Sequence, residues 1–261
     1  MKILVTNDDG IFSAEMWTLV NELRNIAQVV VVAPDREQSA IGTAVSLHQP
    51  IRVKRARAMA PGVETYAVEG TPADSVILAL GKLIKDKVDL VISGINQGRN
   101  LGNDVLISGT VGAAMQGYLH GYPAFAISVE TADNLYLNNA ARLAVLLAKK
   151  IDSQTLPADI FLNINLPDLP PAQIKGIKVT KLADESHINT VKEGYDGKQP
   201  CYWLVRNQIS DGTKDSERET DIWAIEQGNI SITPLHANLF NRNSSPITDS
   251  LCSKLFQELR G

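Results

Sequence analysis

Cysteine is scarce in this chain: 261 residues contain two, Cys201 and Cys252. They lie far apart and match no metal-finger spacing, so the expectation is a pair of reduced thiols in a cytoplasmic protein. Basic excess is missing as well. The formal net charge is −4 and the pI about 5.6, which argues against nucleic acid or an anionic membrane as the main partner. The single basic cluster, Arg52, Lys54, Arg55 and Arg57, reads as the solvated face or edge of a strand. No apolar run approaches the ~18 residues of a membrane span, and no basic start leads into a long apolar segment as in a signal peptide. The histidines, His48, His120, His187 and His236, show neither HExxH nor HxH spacing. There is no GxSxG and no GxxxxGK[ST], which disfavours serine-hydrolase and P-loop chemistry. A GxGxxG after the first strand is absent too, which argues against a dinucleotide enzyme.

What is present is an alternation of strand and helix patterns. Ile3–Val5 reads as a buried strand, followed by Met16, Leu19, Val20, Leu23 and Ile26 at helical spacing. Val29-Val30-Val31-Val32-Ala33 is an uninterrupted apolar run typical of a strand covered on both faces. Tyr66–Val68 is a short strand. Thr71-Pro72 then opens a helix, with Thr as N-cap and Pro in the first position. Further strands are expected at Asp89–Gly94, Ala124–Val129 and Ile160–Ile164, with helices at Thr110–His120 and Asn138–Ile151. This order predicts an α/β protein with a mostly parallel sheet and helices on both faces. Ligands in such folds bind at the carboxyl ends of the strands. After Pro167 the pattern changes. Ile177–Thr180, Tyr202–Arg206 and Ile230–Thr233 are short strand candidates separated by turns such as Asp196-Gly197 and Asp211-Gly212-Thr213, and they read as β-hairpin material. Leu251, Leu255 and Leu259 mark a final helix.

Four segments could carry chemistry. Asn7-Asp8-Asp9-Gly10 ends the first strand. Neighbouring strand side chains point to opposite faces, so Asp8 and Asp9 converge only if the strand breaks, and Gly10 allows the break. Two unit charges about 5 Å apart repel by roughly 3 kcal/mol at an effective dielectric near 20, and a cation removes that penalty. Oxygen ligands for Mg²⁺ or Mn²⁺ are one reading of this turn, and an acidic turn capping the next helix is the other. Ala33-Pro34-Asp35-Arg36-Glu37-Gln38-Ser39-Ala40 follows the second strand. It is either a charged surface loop or a source of a hydroxyl ligand at Ser39. Ser93-Gly94-Ile95-Asn96 through Gly102 is rich in Gly and Asn, which permits close backbone approach to a ligand, and Asn96 offers a neutral oxygen. Ser108-Gly109-Thr110 precedes a helix of small residues. Its open N-terminus suits a phosphate, while the same small residues suit close packing.

Taken together, Thr6-Asn7-Asp8-Asp9-Gly10, Ala33-Pro34-Asp35-Arg36-Glu37-Gln38-Ser39-Ala40, Glu69-Gly70-Thr71-Pro72-Ala73-Asp74, Ser93-Gly94-Ile95-Asn96 through Asn100-Leu101-Gly102, and Ser108-Gly109-Thr110-Val111-Gly112-Ala113-Ala114 resemble the SurE family of metal-dependent 5′/3′-nucleotidases. Order and separation agree over essentially the whole chain. The resemblance implies one domain over 1–261 with a three-layer Rossmann-like sheet. Residues 1–167 would form the nucleotidase core, and 168–261 a β-hairpin oligomerisation region plus a C-terminal helix. It implies that Asp8, Asp9, Ser39 and Asn96 hold one divalent cation per subunit, Mg²⁺ or Mn²⁺. Asn96, Ser108, Gly109 and Thr110 would lie beside the substrate phosphate. Ile107 stands where the family often has an aromatic residue.

The expected reaction is hydrolysis of nucleoside 5′- and 3′-monophosphates to nucleoside and phosphate, extending to short-chain polyphosphate, with Asp8 and Asp9 as catalytic residues. The expected assembly is a homodimer or homotetramer, without nucleic acid or membrane. A metal-dependent nucleoside hydrolase is the alternative, since it also clusters Asp residues after strand one. It would release free base and no inorganic phosphate. A receiver-type phosphoacceptor domain would need a further Asp near residues 45–55, where His48-Gln49-Pro50 stands.

Overall fold

The computed structural model describes residues 1–130, 136–186, 188–206, 217–239 and 245–260. Its centre is a nine-stranded sheet. Strands β1 (Lys2–Thr6), β2 (Gln28–Pro34), β3 (Val53–Arg55), β4 (Glu64–Val68), β5 (Leu90–Gln97), β6 (Ala124–Val129), β7 (Phe161–Leu166), β8 (Ile177–Val179) and β11 (Ile230–Pro234) run in the order β3-β4-β2-β1-β5-β6-β7-β11-β8. The run from β4 to β7 is parallel, while β3 and β11 join antiparallel to β4 and β7. β9 (Ile188–Tyr195) and β10 (Pro200–Arg206) form a separate antiparallel hairpin.

Alternation along each strand fills two cores. Ile3 and Val5 on β1 face one side, where they meet Met16, Leu19, Val20 and Leu23 of α1 (Ala14–Leu23) and Ala140, Ala144 and Ala148 of α4 (Leu137–Asp152). Leu4 faces the other, towards Val76 of α2 (Pro72–Leu78) and Val111, Ala113 and Ala114 of α3 (Gly109–Leu119). The result is the expected three-layer α/β arrangement. β1 lies between β2 and β5, so the chain leaves it to one side first and later returns to the other. That is a topological switch point, and it opens a crevice at the carboxyl end of β1.

Several elements differ from expectation. Ile177–Val179 and Ile230–Pro234 belong to the main sheet and not to the hairpin, because β11 pairs with β7 and β8 pairs with β11. Their short length and polar flanks hid that partnership. β5 continues past Gly94 to Gln97. α2 ends at Leu78 and passes into a wider turn at Ala79–Leu83. The basic cluster is an edge: Lys54 and Arg52 pair with Glu69, and Arg55 with Glu64, on exposed side chains. Such charges blunt an edge strand more than they stabilise it. A short α5 (Asp221–Glu226) went unforeseen, and α6 (Ser245–Arg260) carries Leu251, Leu255 and Leu259 exposed. The turn expected at Asp211-Gly212-Thr213 lies outside the described residues, as does His187.

Candidate active site

The turn after β1 is braced by Asn7. Its Nδ2 donates to the Gly10 carbonyl at 3.0 Å, and its Oδ1 accepts from the Gly10 N–H at 3.2 Å. Gly10 sits at φ +98°, where a Cβ would be 3.0 Å from the backbone of Arg36. Only glycine takes that conformation without strain, so the chain can turn sharply against the loop after β2. Beyond this turn the two carboxylates have different partners, Thr110 for Asp8 and the Gln97 N–H for Asp9.

Asp8 is buried. Its Oδ1 accepts from the Thr110 hydroxyl at 2.5 Å, and the Thr110 N–H points at the same carboxylate. The carboxylate therefore sits on the positive end of α3, where charge-assisted bonds and the helix dipole favour it. Burial still outweighs these bonds and raises the Asp8 pKa. A closer approach to α3 is possible only because residue 109 is glycine: a Cβ there would fall 2.8 Å from Asp8 Cβ and 3.2 Å from the Gln38 carbonyl.

Asp9 is half-buried, and its Oδ2 is a buried oxygen with no hydrogen-bond partner. Burial, then the charge of Asp8, then that of Glu15 push its pKa up to about 7, while the Gln97 N–H pulls the other way. A pair of carboxylates this poorly neutralised suits a cation.

Backbone contacts tie the segments that hold Ser39 and Asn96 to this turn, the Gln97 N–H next to Asn96 reaching the Asp9 carboxylate. The Gln38 N–H donates to the Asp8 carbonyl at 2.7 Å, which carries the loop containing Ser39 onto the turn. Ser39 Oγ donates to Glu37 at 2.7 Å and retains lone pairs for a further partner. At β5, pairing with β6 slips by one residue between Gly94 and Asn96. A bulge of this kind re-aims a side chain. A Cβ on Gly94 would lie 2.3 Å from the Ile127 carbonyl, so glycine is required there. Asn96 Nδ2 donates to the Gly98 carbonyl at 2.6 Å, which leaves Oδ1 as its end for a cation.

At the start of α3, Ser108 Oγ accepts from the Val111 N–H at 3.1 Å, and the Ser108 carbonyl accepts from Gly112. Ser108 is thus a helix cap, and Thr110 is bonded to Asp8. Ser108 Oγ accepts in its bond to Val111, so among the described residues the Gly109 N–H and the Ser108 hydroxyl proton are donors of this turn available to a ligand. The close-packing reading of the small residues holds as well. Gly112 backs onto the Gly42 carbonyl and Gly117 onto Val91, where a Cβ would come within 2.4 Å and 2.7 Å. Arg36 pairs with Asp35 and is exposed.

Sequence reasoning missed the scaffold of the loop after β5. Asn100 is buried, and its N–H donates to Asn165 Oδ1 at 2.8 Å. Its carbonyl accepts from the side chains of Asn163 and Asn165, and its own Nδ2 donates to Ser128. The available signal was the asparagines at alternate positions of an otherwise apolar strand, Phe161-Leu162-Asn163-Ile164-Asn165-Leu166. Asp221 was missed too, although it contacts the same loop.

The family model described as "Survival protein SurE" matches residues 3–189. The chain belongs to the SurE family. A relative from Dehalococcoides mccartyi named 5′-nucleotidase SurE is 52% identical over 254 residues, 96% of this chain and 94% of the relative. Another of that name, from Moorella thermoacetica, is 43% identical over 92% of each chain. A crystal structure of the SurE protein from Aquifex aeolicus superposes with a TM-score of 0.80 at 36% identity, covering 96% of this chain and 99% of that one. The SurE model thus includes every segment that meets at the Asp8–Asp9 turn.

Proposed function

We propose that this chain is a hydrolase that converts nucleoside monophosphates to nucleoside and inorganic phosphate, at the crevice where the Asp8–Asp9 turn meets the start of α3. The observation that carries the reading is the pairing of an unpartnered buried oxygen on Asp9 with Asp8 held on the α3 N-terminus by Thr110. The SurE relatives bear the name 5′-nucleotidase, which agrees with it.

The donor set fits a hard divalent cation. Two carboxylates, a hydroxyl and an amide oxygen, from Asp8, Asp9, Ser39 and Asn96, are oxygen ligands of the kind Mg²⁺ and Mn²⁺ prefer. Bound there, such an ion polarises a phosphoryl oxygen and makes a coordinated water more acidic. The chain's own residues do the rest. The Gly109 N–H, with the dipole of α3 behind it, donates to an equatorial phosphoryl oxygen as negative charge spreads over it. Thr110 keeps Asp8 in one orientation. The proton of the attacking water passes to Asp8 or Asp9.

The reading extends to 3′ as well as 5′ esters and to short-chain polyphosphate, which present the same kind of terminal phosphoryl group to the site. Assembly into two or four copies belongs to it too. Exposed Tyr195, Tyr202, Trp203 and Leu204 on the β9–β10 hairpin support that assembly. Among the described residues no helix is long and apolar enough to cross a membrane. The test is a product assay on AMP with Mg²⁺ or Mn²⁺: phosphate without free adenine is expected. Free adenine would replace this reading with the nucleoside hydrolase.

A further inference from the structure

The loop between Asn96 and Ser108 joins the two halves of the candidate site, and it is gripped from a distant part of the chain. Asp221, the first residue of α5, is fully buried at 0% exposure. Its Oδ2 accepts from the Gly102 N–H at 2.8 Å, and its Oδ1 accepts from Ala183 and Ile222, each at 2.9 Å. The Glu185 carbonyl accepts from the Asn103 N–H at 2.7 Å, and Ser186 Oγ donates to Asp104 at 2.7 Å. Gly102, at φ +53°, lies so close that a Cβ would be 2.5 Å from the Glu185 carbonyl. Lys181 and Thr220 form a parallel bridge beside the joint.

These gripping segments have a common feature. Residues 181–186 lead into the β9–β10 hairpin, and residues 217–222 lie after it. A buried carboxylate bound by backbone N–H groups is costly to leave unpartnered, so it holds its three partners in fixed relation. We propose that Asp221 is a positioning residue of the candidate active site, locking the 98–106 loop to the two segments that flank the hairpin. It touches neither substrate nor cation. Through Gly102 it fixes the loop, and the loop carries Asn96 at one end and the cap of α3 at the other. The hairpin and the site thus share one joint.

This inference rests on the nucleotidase reading for its activity arm and on cation binding for its second arm. Asp221→Asn keeps the shape but places an NH₂ donor against a backbone N–H, so the Gly102 bond is lost if the NH₂ takes the Oδ2 place and the Ala183 and Ile222 bonds if it takes the Oδ1 place. Ser186→Ala loosens the same joint from an outer contact and keeps the fold safe. For each full-length variant, Mn²⁺ affinity is measured by titration calorimetry, KM and kcat for AMP by phosphate release, and the folded fraction by thermal unfolding. Per folded molecule, D221N is expected to weaken Mn²⁺ binding about fivefold or more and to raise KM, with S186A shifted the same way by less. Unchanged Mn²⁺ affinity, KM and kcat in D221N, with only a lower unfolding midpoint, would overturn the positioning role. If the wild-type protein binds Mn²⁺ but releases no phosphate from AMP, the proposed function fails, and the Mn²⁺ titration alone decides the role of Asp221.

Discussion

Asp8 and Asp9 share a turn but not an environment. Asp8 is tied to Thr110 and the α3 N-terminus, whereas Asp9 has an oxygen with no partner. Thr110→Val keeps the shape and removes the hydroxyl. It leaves Asp8 with a buried, under-satisfied oxygen, so a loss of roughly 1–3 kcal/mol in stability is expected, together with weaker Mn²⁺ binding. Chemical denaturation and calorimetric titration measure the two effects, and a wild-type midpoint with wild-type Mn²⁺ affinity would show that the bond is idle. The pH response follows from the raised acids. Burial holds the Asp9 pKa near 7 in the folded chain against 3.8 for an ordinary aspartate, and it also raises Asp8 and Asp221. The folded state therefore binds these protons more tightly than the unfolded chain, and their stabilisation is full below about pH 4 and is lost as pH rises through about 7. For Asp9 alone the change is on the order of 4 kcal/mol at most, before screening by solvent at this half-buried group. Glu64 and Glu69, lowered by their partners, act in the opposite sense at more acid pH. In chelator, the unfolding midpoint should thus fall between about pH 5 and about pH 8, and Mn²⁺ should restore it most at the upper end. A midpoint that is flat or rises over that range would contradict this assignment.

The elements meet at the site through close backbone approaches, and glycine permits each of them. α3 reaches Asp8 because Gly109 has no Cβ, and β5 bulges beside β6 because Gly94 has none. Gly109→Ala forces atoms 2.8 Å apart, so either α3 or the Asp8 turn must shift. A fall in kcat for AMP of at least about a hundredfold is expected, with the helical content by circular dichroism kept. Near-wild-type kcat would mean that the N-terminus of α3 takes no part. The sequence shows these elements unevenly. Buried strands such as Val29–Ala33 are plain from their unbroken apolar runs, and α1 from its helical spacing. Asp8, Asp9, Ser39 and Asn96 could be named as candidate oxygen ligands because each lies at or beyond the carboxyl end of a recognisable strand pattern, while their grouping around one cation rested on the family resemblance. That Asp8 would rest on α3 was not visible, because the bond spans 102 positions and depends on Gly109. The Asn100 scaffold was hidden for a related reason. Asn163 and Asn165 look like ordinary polar alternation until β6 and β7 are laid side by side.

At the scale of the molecule, the strand order places the β1 turn at the switch point of the sheet, and the loops after β2 and β5 close on it from either side. The α/β layering followed from the order of apolar segments. The far edge did not, because β8 and β11 are short and their pairing is set by contact with β7 and not by local pattern. Substitutions of the exposed pairs on the β3 edge, such as Lys54→Ala, should change the unfolding midpoint little and leave AMP turnover intact, since surface pairs contribute about 0–1 kcal/mol. A marked loss of turnover in K54A would point to a ligand on that edge. The central claim is that the Asp8–Asp9 turn is a cation-dependent phosphatase site. Its most direct test is inorganic phosphate release from AMP by the purified protein, compared with the chelated protein and with Asp9→Asn. Phosphate release with Mn²⁺ or Mg²⁺ is expected, with loss on chelation, recovery when the ion returns, and near-complete loss in D9N. Undiminished phosphate release after chelation and in D9N would contradict the claim.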